Sequence, residues 1–162
     1  MNWRRGAALV VAFLILVTLH YTIRPLLGWR ASIDFLVIAV LLVSVRMRPG
    51  AAALLGFLTG LVSDSLTPAT LGAGALAMSV VGFAASWLRA VIFADNVVLH
   101  AFFFFIGKWV FDLIYLIIAR GAPPLELLAQ AGVWSPLSAA LTAAAGVFVM
   151  LAYRMTLDPQ HA

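Results

Sequence analysis

The sequence predicts an all-α polytopic membrane protein with six transmembrane helices in a single domain, residues 1–162. Hydrophobic residues make up 65% of the chain and charged residues only 10%, whereas soluble domains are about one-quarter charged. The mean hydropathy is +1.11. A spanning helix needs about 20 apolar residues, so six spans would leave only short loops and tails. The expected spans are 6–23, 31–46, 50–66, 71–88, 96–119 and 136–153.

The first two spans differ in length. Span 6–23 follows the basic "MNWRR" and ends at Arg24 and Pro25, with no small-residue cleavage site, so it is predicted to be a retained helix. The apolar core of span 31–46 is short, and as a helix it would rise only about 20 Å. We therefore expect Asp34 to lie near a membrane interface, with side-chain snorkelling or tilt making up the missing length.

The third span carries the stretch "GFLTGLVSD", in which Gly56, Gly60 and Asp64 follow one another at four-residue intervals. Small residues on one face of a helix let another backbone approach closely in lipid. Two interpretations are open. Asp64 either marks the outer interface of an ordinary apolar helix, or it is the polar end of a docking face that receives a group of a partner.

The fourth span continues this chemistry in "LGAGALAMSVVGF", where Gly74, Met78 and Gly82 recur every four residues. Between the two spans, Pro68 in "SLTPAT" is predicted to end the third helix, and Thr70 is predicted to be the N-cap of the fourth. Spans three and four are predicted to pack against each other. Contact of the fourth span with a partner is the alternative.

The fifth span places Lys108 and Asp112 four residues apart, on one face of a helix in the middle of an apolar run. We expect an intramembrane ion pair, because pairing lowers the cost of burying either charge. The pair is either structural, or it lines a cavity and is functional. Before the sixth span, "PPLELLAQAGVW" predicts a short helix that lies flat on the outer surface.

Positive charge sets the expected orientation. Six spans place both termini on one side, and the positive-inside rule favours the side with more Lys and Arg. The inner segments would hold Arg4, Arg5, Arg46, Arg48, Arg89 and Arg154. The outer segments would hold Arg24, Arg30 and Arg120. We therefore predict that both termini are cytoplasmic.

Several classes of function are not favoured by these residues. The chain has no Cys, so thiolate metal sites and thiol nucleophiles are excluded. Its basic residues are dispersed, which disfavours nucleic-acid binding. His20, His100 and His161 lack metal-ligand spacing, and the first two are expected at interfaces. No intramembrane protease or Mg²⁺-dependent phosphotransferase pattern occurs, and we predict no enzyme activity, cofactor or metal.

The stretch "RMRPGAAALLGFLTGLVSDSLTPATLGAGALAMSVVGFAAS", residues 46–86, resembles the MreD family of bacterial rod shape-determining membrane proteins. "GFLTGLVSD", the polar turn after it and "LGAGAL" carry the resemblance, which extends more loosely over the span pattern. It implies a non-enzymatic scaffold subunit of the cell-elongation machinery in the inner membrane. Such a subunit supports side-wall peptidoglycan synthesis and the regulation of cell shape.

The resemblance also implies partners. MreD-like proteins bind MreC, a single-span protein, and through it MreB, RodA and a class B penicillin-binding transpeptidase. The positions that match the family motif are Gly56, Gly60, Asp64, Gly72 and Gly74. We take these five residues as the hypothetical partner-binding set.

A second resemblance gives the alternative function. The S-components of energy-coupling factor vitamin transporters are similar in size, in having six spans and in their glycine-rich helices. A substrate-binding subunit of this kind needs a cavity with converging polar groups. The candidates for such a cavity are Asp64, Lys108, Asp112, Asn96 and Arg120.

Overall fold

The computed structural model describes residues 3–27, 33–88, 96–119 and 124–157, and within these ranges it is helical and contains no strand. The helices are α1 Trp3–Leu27, α2 Phe35–Ser44, α3 Pro49–Asp64, α4 Ala73–Trp87, α5 Val97–Ala119, α6 Pro124–Ala129 and α7 Ser135–Leu157. A 3-10 turn, Pro68–Thr70, joins α3 to α4, and a π-helical turn, Gln130–Trp134, joins α6 to α7. The all-helical prediction is confirmed.

Two helical stretches are long and apolar enough to cross a membrane, Val97–Ala119 and Leu125–Ala152. Four shorter apolar helices accompany them: Ala7–Ile23, Phe35–Ser44, Pro49–Asp64 and Ala73–Trp87. The chain thus has the helical character of a membrane protein, while six complete spans and the placement of the termini stay predictions. Of the arginines used for orientation, only Arg46 and Arg48 have described side chains.

Helix α2 is the centre of the bundle. It contacts α1, α3, α4, α5 and α7, and every residue from Leu36 to Leu41 is at most 1% exposed. A helix that is apolar on all sides is one that other helices surround. A helix enclosed by protein does not need to match the thickness of the lipid. The short length of α2 therefore needs no compensation by the tilt or snorkelling that was predicted for it.

The surrounding helices approach α2 and one another at glycines. A Cβ on Gly107 of α5 would lie 2.8 Å from the side chain of Leu41 in α2. A Cβ on Gly146 of α7 would lie 2.7 Å from the ring of Phe104 in α5. These glycines make room for large side chains of the neighbouring helix, as expected where packing drives helix association.

The segment before α7 is helical, as predicted, and Leu125 and Leu128 on α6 are exposed. It is not a separate surface helix, because α6, the π turn and α7 run on without a break. Within the π turn the N–H of Ser135 donates to the carbonyl of Gln130, five residues earlier. The next residue, Pro136, has no N–H to donate, and π turns are one way in which a helix accommodates such local irregularity.

Candidate functional site

A buried group of charged side chains joins α5 to α2. The Lys108 Nζ donates to Asp112 Oδ1 at 2.6 Å and to Asp34 Oδ2 at 3.0 Å. The Nδ1 of His20, on α1, lies 3.3 Å from the other carboxylate oxygen of Asp34. We call His20, Asp34, Lys108 and Asp112 the ion-pair cluster. It connects three helices through polar contacts inside an otherwise apolar bundle.

Local structure positions the two acids differently. Asp112 lies one turn after Lys108 on α5, as the spacing predicted, so the two form an ion pair within one helix. Asp34 is the N-cap of α2, where its side chain accepts a hydrogen bond from the N–H of Val37 at 3.3 Å. Its own N–H donates to the Thr142 hydroxyl of α7 at 3.1 Å. Asp34 therefore lies at the junction of four helices, α1, α2, α5 and α7.

The cluster is buried unevenly. The side chains of Lys108 and Asp34 are each 7% exposed, whereas that of Asp112 is 15% exposed. The Lys108 ammonium also lies 4.8 Å from the centre of the Phe111 ring, within range of a cation–π interaction. Two carboxylates share one ammonium, and Asp112 is the member that is most open.

Asp34, His20 and His100 are 5%, 2% and 1% exposed, so all three are enclosed by the helices of this chain. Their position relative to a membrane interface stays a prediction. Asp34 and His20 were not predicted to belong to the Lys108 site. One signal in the sequence could have indicated Asp34: it immediately precedes a run with no polar face, and such a run predicts a fully buried helix. A carboxylate that caps a buried helix needs a buried partner.

Asp64 has a role inside the chain. Its Oδ2 accepts hydrogen bonds from the N–H of Gly72 at 2.9 Å and from the N–H of Ala75 at 3.0 Å. These are free N–H groups at the start of α4, where a negative charge is stabilised by the helix dipole. Gly72 has a φ of 97°, a conformation that favours glycine. Asp64, at the end of α3, thus caps α4, and it is 3% exposed.

The glycines of the motif form the contact between α3 and α4. A Cβ on Gly60 would lie 2.5 Å from the carbonyl oxygen of Gly74, and one on Gly56 would collide with the carbonyl of Met78. On α4, a Cβ on Gly82 would lie 2.6 Å from the carbonyl oxygen of Ala52. The two helices therefore pack backbone to backbone, in agreement with the prediction that spans three and four pack against each other.

This packing bears on the partner-binding hypothesis. Gly56, Gly60, Gly74 and Asp64 are buried, and their surroundings are backbone and side-chain atoms of this chain. The remaining member, Gly72, is half-buried in the turn. A partner has no access to the four buried residues in this arrangement, so a docking face made of them does not fit the structure. Their contribution to any partner contact would be indirect.

We predict that Asp64→Ala destabilises the protein by about 1–2 kcal/mol, the usual cost of losing a capping side chain. The reason is that two N–H groups at the start of α4 would lose their acceptor. Asp64→Asn, which keeps one acceptor oxygen, should cost less. The measurement is thermal unfolding of the purified protein in detergent, and equal stability of Asp64→Ala and wild type would exclude the capping role.

A cavity of about 440 Å³ lies beside the ion-pair cluster and the α3–α4 turn. Asp64, Lys108 and Asp112, three candidates from the sequence, all line it. Further polar residues on its wall are His20, Tyr21, Asp34, Ser63, Thr67, Tyr115, Gln130, Ser135 and Ser138. The structure thus brings together side chains that are up to 118 positions apart, from 20 to 138, around one space.

The other two candidates do not join this site in the described residues. Asn96 is exposed and accepts a hydrogen bond from the N–H of Val98 at 2.9 Å, which makes it a local cap for the start of α5. Arg120 lies outside the described residues, as does His161.

No family model, curated protein or solved structure matches the chain. The similarity to MreD proteins and to transporter S-components therefore rests on the residues quoted above.

Proposed function

We propose that this protein is a non-enzymatic, multi-pass scaffold subunit of the bacterial cell-elongation machinery, placed in the inner membrane with both termini in the cytoplasm. The single observation that carries the proposal is the motif "GFLTGLVSD", which resembles MreD and forms a defined structural unit here. Its two glycines bring α3 against α4, and its aspartate caps α4. The motif thus builds a closely packed helix pair, and in this proposal that pair is the platform on which a partner helix packs.

In this proposal the partner is MreC, and through it MreB, RodA and a class B penicillin-binding transpeptidase. The contact is made by the outward side of the helix pair, since the inward side is occupied by packing. That outward side is apolar and exposed, with Leu54 and Leu58 on α3 and Leu76, Val80 and Phe83 on α4. A single spanning helix packs on such a surface through van der Waals contact.

The charge chemistry supports a role without catalysis. The Lys108 ammonium is hydrogen-bonded to both carboxylates of the cluster, and Asp64 is hydrogen-bonded to the start of α4. A general base or nucleophile needs a neighbouring group that activates it toward a substrate. In this proposal the acids and the base hold helices together.

The proposal is tested by co-purification. Tagged wild-type protein should retain co-expressed MreC from the same organism. Leu58→Trp and Val80→Trp, which add bulk to the outward side of the helix pair, should lose most of it. Phe148→Trp, at a residue 73% exposed on α7, is the matched control and should retain MreC. All variants are compared at equal membrane levels.

Two outcomes would contradict this proposal. Failure of the wild type to retain MreC would remove its basis. Equal retention by all variants would mean that MreC binds elsewhere on the chain. Gly60→Leu and Asp64→Leu are unsuitable as interface probes, because they alter internal packing and would lose MreC through misfolding.

A second candidate function is a substrate-binding membrane subunit of a small-molecule transporter. The observation that favours it is the cavity of about 440 Å³ with its converging polar residues, since small-molecule sites have about this volume and few polar groups. Stabilisation of the isolated protein by a small solute would support this function. Dependence of its stability on MreC would support the scaffold.

A further inference from the structure

We propose that the turn between α3 and α4 is a gate over the cavity of about 440 Å³, and that a hydrogen bond between Tyr115 and Thr70 holds this gate closed. We call residues 65–71 the turn segment. Such a gate controls entry to the cavity whatever occupies it, and it does not require MreC.

The turn segment separates one end of the cavity from the surroundings of the bundle. Leu66 and Thr67 both line the cavity, yet Leu66 is 65% exposed and Thr67 is exposed as well. The wall at this place is therefore one residue thick. The adjoining wall belongs to α5, which contributes Phe111, Tyr115 and Leu116. A shift of the turn segment away from α5 would open the cavity at this end.

The hydrogen bonds of the turn segment are local, with one exception. Within the described residues, its backbone and hydroxyl groups bond to partners between positions 61 and 71. The exception is the Tyr115 hydroxyl of α5, which donates to Thr70 Oγ1 at 2.9 Å. The Thr70 hydroxyl in turn donates to the carbonyl of Thr67 at 3.4 Å. Tyr115 thus ties the middle of the turn segment to α5.

The ends of the turn segment are fixed independently of Tyr115. Asp64, which precedes the segment, accepts a hydrogen bond at 2.9 Å from the N–H of Gly72, which follows it. Asp64 also bonds to the N–H of Ala75 at the start of α4. Loss of the Tyr115 hydrogen bond would therefore release the middle of the segment without separating α3 from α4. This is the behaviour of a gate, because the helices on both sides stay in place.

The ring of Tyr115 is held in position from inside the bundle. It stacks on the ring of Phe111, with 5.9 Å between the centroids and an angle of 26° between the planes. The Phe111 ring in turn lies 4.8 Å from the Lys108 ammonium. Positions three and four apart share one face of a helix, so these three side chains form a continuous row on α5. The row connects the closing hydrogen bond to the ion-pair cluster.

An introduced thiol tests the gate, because the chain contains no Cys. Ser138→Cys places the thiol on the cavity wall, at a residue of α7 that is 7% exposed. The full chain is inserted in nanodiscs and treated with 2-sulfonatoethyl methanethiosulfonate, which is charged and does not cross lipid. Mass spectrometry gives the labelling rate. This rate follows the open fraction of the protein when opening and closing are fast relative to labelling.

We expect Ser138→Cys to be labelled much more slowly than Ser65→Cys, at an exposed position of the turn segment. Adding Tyr115→Phe keeps the ring but removes the hydroxyl, and it should raise the rate at Ser138→Cys about fivefold, the effect of losing one neutral hydrogen bond on a two-state equilibrium. Thr70→Val removes the other partner and should act equally. The double variant should be no faster than either single one, since only one bond is lost.

Two variants are matched controls. Tyr21→Phe also removes a tyrosine hydroxyl from the cavity lining, but this hydroxyl is buried without a hydrogen-bond partner within the described residues. Thr67→Val makes the same change as Thr70→Val at a neighbouring, exposed residue of the turn segment. Both should leave the labelling rate unchanged.

Three results would overturn the proposal: labelling of Ser138→Cys as fast as that of Ser65→Cys, unchanged rates in Tyr115→Phe and Thr70→Val, or an equal rise in the two controls. If Tyr115→Phe does not fold, Thr70→Val decides, because it changes the turn and not a bundle helix. If Ser138→Cys does not fold, Met78→Cys, at a residue of the cavity wall that is 3% exposed, replaces it. Because MreC is absent throughout, these outcomes leave the co-purification test of the scaffold unaffected.

Discussion

Lys108→Met should lower the free energy of unfolding by about 3–5 kcal/mol, the largest effect expected of any single charge removal in this chain. The substitution keeps an unbranched side chain but leaves Asp34 and Asp112 buried without their shared cation. The effect is measured as a loss of thermal stability and of monodisperse protein in detergent. Arg48→Met, at an exposed cation, is the matched control and should be close to wild type.

The triple variant Lys108→Met, Asp34→Asn, Asp112→Asn distinguishes a structural cluster from a functional one. Replacing a buried charge network by neutral groups is often tolerated, since no unpaired charge remains. If the cluster only holds helices together, the triple variant should recover most of the stability that Lys108→Met loses and should function normally. Recovered stability with impaired function would mean that the charges do more than hold the helices together.

Exchanging Lys108 and Asp112 with each other would be a poor test of whether their ion pair is structural. It would place a carboxylate at position 108, beside Asp34, whose Oδ2 now lies 3.0 Å from the ammonium. Like charges at this distance repel strongly in a buried site. The exchanged protein would therefore be destabilised even if the Lys108–Asp112 pair were purely structural.

Gly60→Leu should prevent normal assembly of the bundle. A Cβ at this position would lie 2.5 Å from the carbonyl oxygen of Gly74 and 2.6 Å from the Cα of Ala75, so backbone has to move before the side chain fits. Overpacking of this kind costs about 1–3 kcal/mol or more, and Gly60→Ala should already be harmful. The measurement is the yield of monodisperse protein and its unfolding midpoint.

Gly50→Leu is the matched control for this prediction. Gly50 lies in the first turn of the same helix, and an added Cβ there meets no atom within 4 Å. Leucine is also a better helix former than glycine. Normal yield and stability of Gly60→Leu, or equal damage at both positions, would show that close approach of α3 and α4 is not what the motif provides.

Much of the helical plan was predictable, because hydropathy and residue spacing are local properties. The predicted span 96–119 corresponds almost residue for residue to α5, Val97–Ala119. The four-residue intervals of Gly56 and Gly60, and of Lys108 and Asp112, place each pair on one helix face whatever the rest of the chain does. Packing of α3 on α4 followed from the small residues on both.

The ion-pair cluster could be recognised only from the tertiary structure. Asp34 and Lys108 are separated by 74 positions, and no local pattern relates them, so the cluster could be seen only once α2 lay inside the bundle. For the same reason Asp64 could be recognised as polar, but not as the cap of the following helix. Local sequence determines which face of a helix is polar or small. Which neighbour covers that face depends on how all the helices pack together, since burial and ion pairing are properties of the whole bundle.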